Sequence, residues 1–99
     1  MRESDVEKHL TKCVKAFGGD VRKVTWIAHR GAPDRLVMLP EVVSNGPAGT
    51  IPAERFLVEL KAPGKKLKAH QRREHERLRK YGWRIEVVDG IEDVEKLFR

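Results

Sequence analysis

Apolar residues near the start of the chain recur at helical spacing. Between residues 5 and 17 they fall three or four positions apart, which predicts a helix capped by Ser4 or Asp5 that runs to about Phe17. The Gly18-Gly19 pair that follows is typical of a helix C-terminus.

Further along, apolar runs separated by glycine and proline predict the remaining elements. In order, they are strands over Val21–His29, Arg35–Leu39 and Arg55–Lys61, a helix over Leu67–Tyr81, a strand over Trp83–Val88, and a closing helix over Ile91–Phe98. The first three strands can form a meander, and the helical crossover lets the fourth pair in parallel with one of them. The sequence therefore predicts one α/β domain (residues 1–99) with the order αβββαβα and a mixed four-stranded sheet. The proline- and glycine-rich stretch from Pro40 to Pro52, with its Asn45-Gly46 pair, predicts a loop or hairpin connection.

The predicted third strand carries two charged residues among apolar ones. Alternation along a strand places Glu59 and Lys61 on one face and Leu60 on the other. Because burying a charge is costly unless it is paired or metal-bound, this pair is a candidate for chemistry. The alternative is a simple ion pair between Glu59 and Lys61 on an open sheet face.

Asp34 ends the turn Gly31-Ala32-Pro33-Asp34, just before the predicted second strand. Brought beside Glu59 and Lys61, it would complete a set of two carboxylates and one ammonium. Such a set can hold Mg²⁺ through oxygen ligands and place a cation near an attacking water. An aspartate after proline is also a common turn former, so Asp34 alone does not decide between these roles.

The first helix offers a further carboxylate. Glu7 borders its apolar stripe and Glu3 lies one turn earlier, so either could reach a metal over the sheet. We prefer Glu7 because it sits further into the helix, although a glutamate in the first turns often only favours the helix dipole.

Gln71 lies on the inward face of the long helix, together with Leu67, His75 and Leu78. An inward amide needs a hydrogen-bond partner, which would be either the core or a water or phosphate of the site. His9 and Cys13 have the spacing of two metal ligands on one helix, but no second pair follows, which favours a structural role.

Composition and charge narrow the class of protein. The chain has 99 residues, no apolar run long enough to span a membrane, and a charged N-terminus unlike a signal peptide. Its single cysteine excludes an internal disulfide and favours a reducing cytoplasm.

Basic residues are concentrated in one part of the chain. The net charge is +6. The segment from Lys61 to Arg84 contains many lysines and arginines but only two acidic residues, Glu74 and Glu76. This cluster predicts a polyanionic partner, and a solvated basic helix face is the alternative.

These segments together resemble a known family. The stretches Arg30–Val37 and Phe56–Gly64, the helix around Gln71 and the strand Ile85–Asp89 are similar to VRR-NUC domains of the PD-(D/E)xK nuclease superfamily. The resemblance covers nearly the whole chain. It implies a restriction-endonuclease-like core and an Mg²⁺- or Mn²⁺-dependent endonuclease that hydrolyses DNA phosphodiester bonds.

The resemblance also implies roles for individual residues. Asp34, Glu59 and the Leu60 carbonyl would hold the metal, with Glu7 as the helix-one glutamate. Lys61 would be the catalytic lysine and Gln71 the family's helix glutamine. Contacts to the DNA backbone are expected from Lys65, Lys66, Lys68, Arg72 and Arg73.

Small phage and bacterial members of this family resemble Holliday-junction resolvases and act as homodimers. The resemblance therefore implies a homodimer that cuts branched DNA, such as a four-way junction, in the cytoplasm of a bacterial or phage-infected cell. Two other hypotheses stay open: a non-catalytic nucleic-acid-binding domain that keeps the nuclease fold, and a structural module that binds neither metal nor DNA.

Overall fold

The predicted order of elements is confirmed. The computed structural model describes residues 1–43, 45–47 and 49–98. Its elements are α1 (Glu3–Ala16), β1 (Asp20–Lys23), β2 (Arg35–Leu39), β3 (Glu54–Leu60), α2 (Ala69–Lys80), β4 (Ile85–Val88) and α3 (Ile91–Lys96). Among these helices none is long and apolar enough to span a lipid bilayer.

The four strands form one mixed sheet in the order β1-β2-β3-β4. β1 pairs with β2, and β2 with β3, in antiparallel fashion, whereas β3 and β4 are parallel. The meander and the parallel fourth strand are therefore as predicted. α2 makes the crossover that a parallel pair requires.

Helices cover both faces of the sheet. α1 and α3 pack against one face, where Val6, Leu10 and Val94 meet Phe56 and Val58 of β3. α2 covers the other face, where Leu78 packs with Leu57 and Ile85. β3 is thus buried on both sides, and strand alternation turns Glu59 and Lys61 towards α2.

The predicted first strand is too long at its C-terminal end. β1 ends at Lys23, and the chain up to His29 leaves the sheet as a loop over the α2 face. Trp26 holds this loop in place by donating its indole N–H to the Pro33 carbonyl over 2.7 Å and packing edge-on against Trp83. The loop's apolar alternation therefore reflects tryptophan packing, not pairing within the sheet.

Several helix and strand bounds also differ from the predictions. α1 is capped at Arg2, not at Ser4 or Asp5, because the Asp5 carboxylate accepts the Arg2 backbone N–H over 2.8 Å. The other bounds differ from the predicted ones by one or two residues. β3 is shifted back by one residue, α2 starts at Ala69, β4 starts at Ile85, and α3 ends at Lys96.

The connection from Pro40 to Pro52 includes an antiparallel bridge between Val42 and Ile51, in keeping with a hairpin. Ser44 and Ala48 of this connection lie outside the described residues, as does Arg99.

Candidate active site

Asp34, which directly precedes β2, lies opposite Glu59 of the neighbouring strand β3. β2 and β3 pair Arg35 with Val58, so one further step in the register sets Asp34 opposite Glu59 on the α2 face. Cross-strand neighbours on one face are close enough to interact directly. In agreement, the charge of Asp34 is among the causes that raise the pKa of Glu59, after burial.

The turn before Asp34 is packed against the start of α2. Pro33 is fully buried, and Gly31 has a φ of 90°. A Cβ atom at Gly31 would lie 2.8 Å from the His70 carbonyl oxygen. Glycine is therefore required here both for its backbone conformation and for the close approach to α2.

Gly31→Ala is expected to destabilise the protein by about 2 kcal/mol or more, because strain at positive φ adds to a backbone clash. Gly64→Ala is the matched control: Gly64 also has a positive φ (82°), but a Cβ atom at this position would have no other atom within 4 Å. Urea unfolding of both variants measures the difference. Equal losses would show that the contact with α2 does not constrain the turn.

Glu59 is the most strongly perturbed group in the site. It is only 9% exposed. Burial, and then the charges of Asp34 and Glu3, raise its pKa to about 7, against the opposing effects of Lys61 and Arg35. A buried carboxylate of this kind binds a proton at neutral pH unless a cation takes the proton's place.

His75, which sequence reasoning gave no role, contacts this carboxylate. His75 belongs to α2, and its side chain is completely buried. Its Nε2 lies 3.1 Å from Glu59 Oε1. Burial, and then Arg79, lower the pKa of His75, which favours the neutral imidazole. The Gly31 backbone, as a hydrogen-bond partner of the ring, opposes this lowering of the pKa.

Lys61 and Gln71 form a second contact between β3 and α2. Lys61 Nζ donates to Gln71 Oε1 over 2.8 Å, and the same oxygen accepts the Lys68 backbone N–H over 2.9 Å. Gln71 thus caps α2 while holding the lysine. Across residues 1–43, 45–47 and 49–98, no ion pair within 4.0 Å joins Glu59 to Lys61, so the simple Glu–Lys pair considered above is not formed.

Arg35 joins the first helix to the site, and sequence reasoning missed it. Its guanidinium contacts Glu7 Oε2 at 2.7 Å and Asp34 Oδ1 at 2.9 Å, and its side chain is only 12% exposed. Glu7 is therefore held by an arginine. Glu3, the alternative carboxylate of α1, acts on Glu59 through its charge.

In the part of the chain that the structure describes, no group of three or more Asp, Glu, His or Cys side chains is placed to hold a metal ion. Glu7 and Asp34 share Arg35, and their role as metal ligands together with Glu59 stays a prediction. Asp34 and Glu59 remain adjacent. With the Leu60 carbonyl they offer the all-oxygen donors that Mg²⁺ and Mn²⁺ favour.

The five basic residues predicted to contact DNA follow the site directly. They lie in the loop after β3 and at the start of α2, and all are exposed. None is in an ion pair within the described ranges: Lys65, Lys66, Lys68, Arg72 and Arg73. Their charges are therefore available to a polyanion beside Lys61 and Gln71.

His9 and Cys13 form a small polar contact away from the site. Cys13 Sγ lies 3.6 Å from His9 Nε2, which also lies 3.3 Å from Glu95 Oε1. The contact ties α1 to α3, in keeping with the structural role favoured above.

Comparison with known proteins agrees with this arrangement. No protein-family model matches the chain. Over 90 residues it is 42% identical to a phage protein named "Putative nuclease p44", from Acyrthosiphon pisum secondary endosymbiont phage 1, and the match covers 91% of this chain and 85% of that protein. A solved structure described as a VRR_NUC domain is 38% identical to this chain, with a TM-score of 0.75. The match covers 97% of this chain and 92% of the chain in that structure. The chain therefore belongs to the VRR-NUC family.

Proposed function

We propose that this protein is an endonuclease that hydrolyses DNA phosphodiester bonds with the help of Mg²⁺ or Mn²⁺. The observation that carries the proposal is the buried Glu59, with its pKa raised to about 7, opposite Asp34 and on the same sheet face as Lys61. A carboxylate kept in so unfavourable a setting suggests a functional role. Its phage relative, named a nuclease, supports the same assignment.

Asp34, Glu59 and the Leu60 carbonyl would hold the metal ion. When bound, it would polarise the scissile phosphate and lower the pKa of an attacking water. His75 keeps Glu59 in one orientation through its 3.1 Å contact. Arg35 keeps the Asp34 carboxylate close to the sheet edge through its 2.9 Å ion pair.

Lys61 supplies positive charge near the attacking water and the phosphate. The ammonium can orient the water and offset the charge that develops on phosphate oxygens in the transition state. Its bond to Gln71 Oε1 limits where the flexible side chain points. Gln71 would thus act by positioning the lysine, and its direct contact with a water or phosphate stays a prediction.

The exposed basic residues would bind the DNA backbone. Such contacts give affinity and salt sensitivity but do not distinguish bases. Because no element within residues 1–43, 45–47 and 49–98 is suited to read base edges in the major groove, we expect selectivity for DNA structure, with branched DNA such as a four-way junction preferred. A homodimer in the cytoplasm of a bacterial or phage-infected cell would offer two cutting sites to such a substrate.

The proposal is tested by incubating the protein with duplex, flap, splayed and four-way DNA in Mg²⁺ or Mn²⁺, and then with EDTA. We expect cutting of branched DNA that EDTA removes. Lys61→Ala should lower the rate by about 100-fold, whereas Lys8→Ala, an exposed lysine of α1, should leave it unchanged. Cutting by Lys61→Ala at the wild-type rate would show that the active-site assignment is wrong.

A second candidate is a domain that binds nucleic acid without cutting it. The ion pairs from Arg35 to Glu7 and Asp34 favour this candidate, because they neutralise the carboxylates without a metal. Calorimetric titration with Mn²⁺ separates the two. Binding that Asp34→Ala abolishes supports the nuclease, and an absence of binding heat supports the non-catalytic domain.

A further inference from the structure

Three aromatic side chains form a ridge at the C-terminal end of α2. The ridge consists of Trp26, Tyr81 and Trp83. Trp26 and Trp83 pack edge to face with ring centres 6.5 Å apart, and both are half-buried. Tyr81, in contrast, is 85% exposed and adds little to the core. An exposed aromatic ring beside two anchored ones offers a flat surface to a ligand.

Tyr81 stands between two clefts. The first, of about 260 Å³, is lined by Trp26, His29, Glu74, Arg77, Leu78 and Tyr81. The second, of about 370 Å³, is lined by Arg55, Tyr81, Gly82, Trp83 and Arg84. Each cleft thus combines an aromatic wall with at least one arginine, the pairing that nucleic-acid-binding surfaces use for bases and phosphates.

Two of the three arginines that line the clefts are held in place by the fold. Arg77 forms two hydrogen-bonded contacts of 2.8 and 2.9 Å with Glu74, whose side chain is only 5% exposed. Arg84 lies over the Phe56 ring at 4.1 Å and forms ion pairs with Glu54 at 2.8 Å and Glu86 at 3.1 Å. Arg55 is exposed and forms no ion pair within the described residues. Oriented guanidinium groups lose less entropy on binding a phosphate than free ones.

The ridge is connected to the cutting site by α2. A helix rises about 1.5 Å per residue, so Tyr81 lies about 15 Å along the axis from Gln71. Arg73, Arg77 and Lys80 follow one stripe of the helix between these points, and all three are exposed. This stripe lies on the outer side of α2, opposite Gln71, so a DNA strand that crosses from the site to that side would pass basic residues before it reaches the ridge.

We infer that the ridge binds unpaired nucleotides of the DNA substrate, with a base stacked on Tyr81 and its phosphates near the arginines. The inference rests on the proposed function in taking DNA as the ligand. Base faces are covered within a duplex, so only a single-stranded arm can stack on the ridge. The ridge would thus add affinity for branched DNA that carries an unpaired arm, such as a flap or splayed duplex.

The test measures binding in EDTA, where no cutting is needed. A single-stranded oligonucleotide of about eight nucleotides containing 2-aminopurine reports stacking by fluorescence and affinity by anisotropy. We expect Tyr81→Ala to weaken its binding by about 10-fold or more, and Tyr81→Phe, which keeps the ring, to stay within about twofold. Binding of a duplex of equal length should be the same in all three proteins.

Wild-type affinity of Tyr81→Ala for the single strand would overturn the inference. So would a loss of dimer in size-exclusion chromatography with unchanged oligonucleotide affinity, because the ridge would then be a contact between two copies. The nuclease proposal and the ridge proposal can be refuted independently of each other. If the protein cuts no DNA but Tyr81 still governs single-strand binding, only the nuclease proposal falls. If it cuts and Tyr81→Ala binds normally, only the ridge proposal falls.

Discussion

Glu59→Gln is expected to abolish DNA cutting while stabilising the metal-free protein at pH 8. Glutamine has nearly the same shape, and its side-chain amide can still form a hydrogen bond with His75. It cannot carry the negative charge that a divalent cation requires. We expect the cutting rate to fall by about 1000-fold or more, which corresponds to about 4 kcal/mol of lost transition-state stabilisation.

The gain in stability follows from the raised pKa of Glu59. The folded protein binds this proton with a pKa of about 7, and the unfolded chain with the ordinary value of 4.5. Between these values the folded state holds more protons, so the free energy of unfolding falls as pH rises. The full cost at pH 8 is up to about 3 kcal/mol. Glu59→Gln removes this cost, so its advantage should be large at pH 8 and small at pH 5.

Urea unfolding in EDTA at both pH values measures the effect. His75 contacts residue 59 in both proteins, so the pH dependence of the difference reports on the Glu59–His75 pair. Glu54→Gln is the matched control, since Glu54 lies on the same strand but is exposed and paired with Arg84. It should change stability by no more than about 0.5 kcal/mol. A Glu59→Gln protein less stable than wild type at pH 8 would contradict the account of Glu59 as a destabilising buried charge.

The order of the elements could be predicted from the sequence because local periodicity decides it. Apolar spacing distinguished the helices, and alternation placed Glu59 and Lys61 on one face. The same alternation was misleading beyond Lys23, since Trp26 is held by a hydrogen bond to Pro33 that no local pattern reveals. Period-two spacing alone cannot tell a strand from a loop that buries every second side chain.

The active-site residues on the strands were open to prediction, but their partners were not. The family resemblance implied that Asp34 and Glu59 act together, and the register of β2 and β3 sets them opposite each other. Arg35 was missed because it stands in an apolar strand, and only the position of α1 brings Glu7 within 2.7 Å of it. His75 was placed on the inward face by its spacing from Gln71. Its contact with Glu59 depends on how closely α2 packs on the sheet.

Arg35→Met is expected to make the stability of the protein depend on divalent cations. In the wild type one guanidinium, only 12% exposed, forms ion pairs with both Glu7 and Asp34. Methionine keeps the apolar stem but leaves these two carboxylates without that cation. Arg35 is buried, but Glu7 and Asp34 are 41% and 49% exposed, so solvent screens part of the loss. We expect a cost of about 2 kcal/mol and a fall in the Tm in EDTA of about 8–15 °C.

Millimolar Mn²⁺ or Ca²⁺ should restore much of that loss, because a divalent cation can take over the neutralisation that Arg35 provides. The rise in Tm on adding metal should therefore be larger for Arg35→Met than for the wild type. Arg22→Met is the matched control: Arg22 also forms a 2.7 Å ion pair, with Asp20, but is exposed. It should lose about 1 kcal/mol at most and gain nothing from metal. An Arg35→Met protein that is destabilised but indifferent to metal would mean that these carboxylates do not bind a cation, and the metal-dependent nuclease proposal would lose its physical basis.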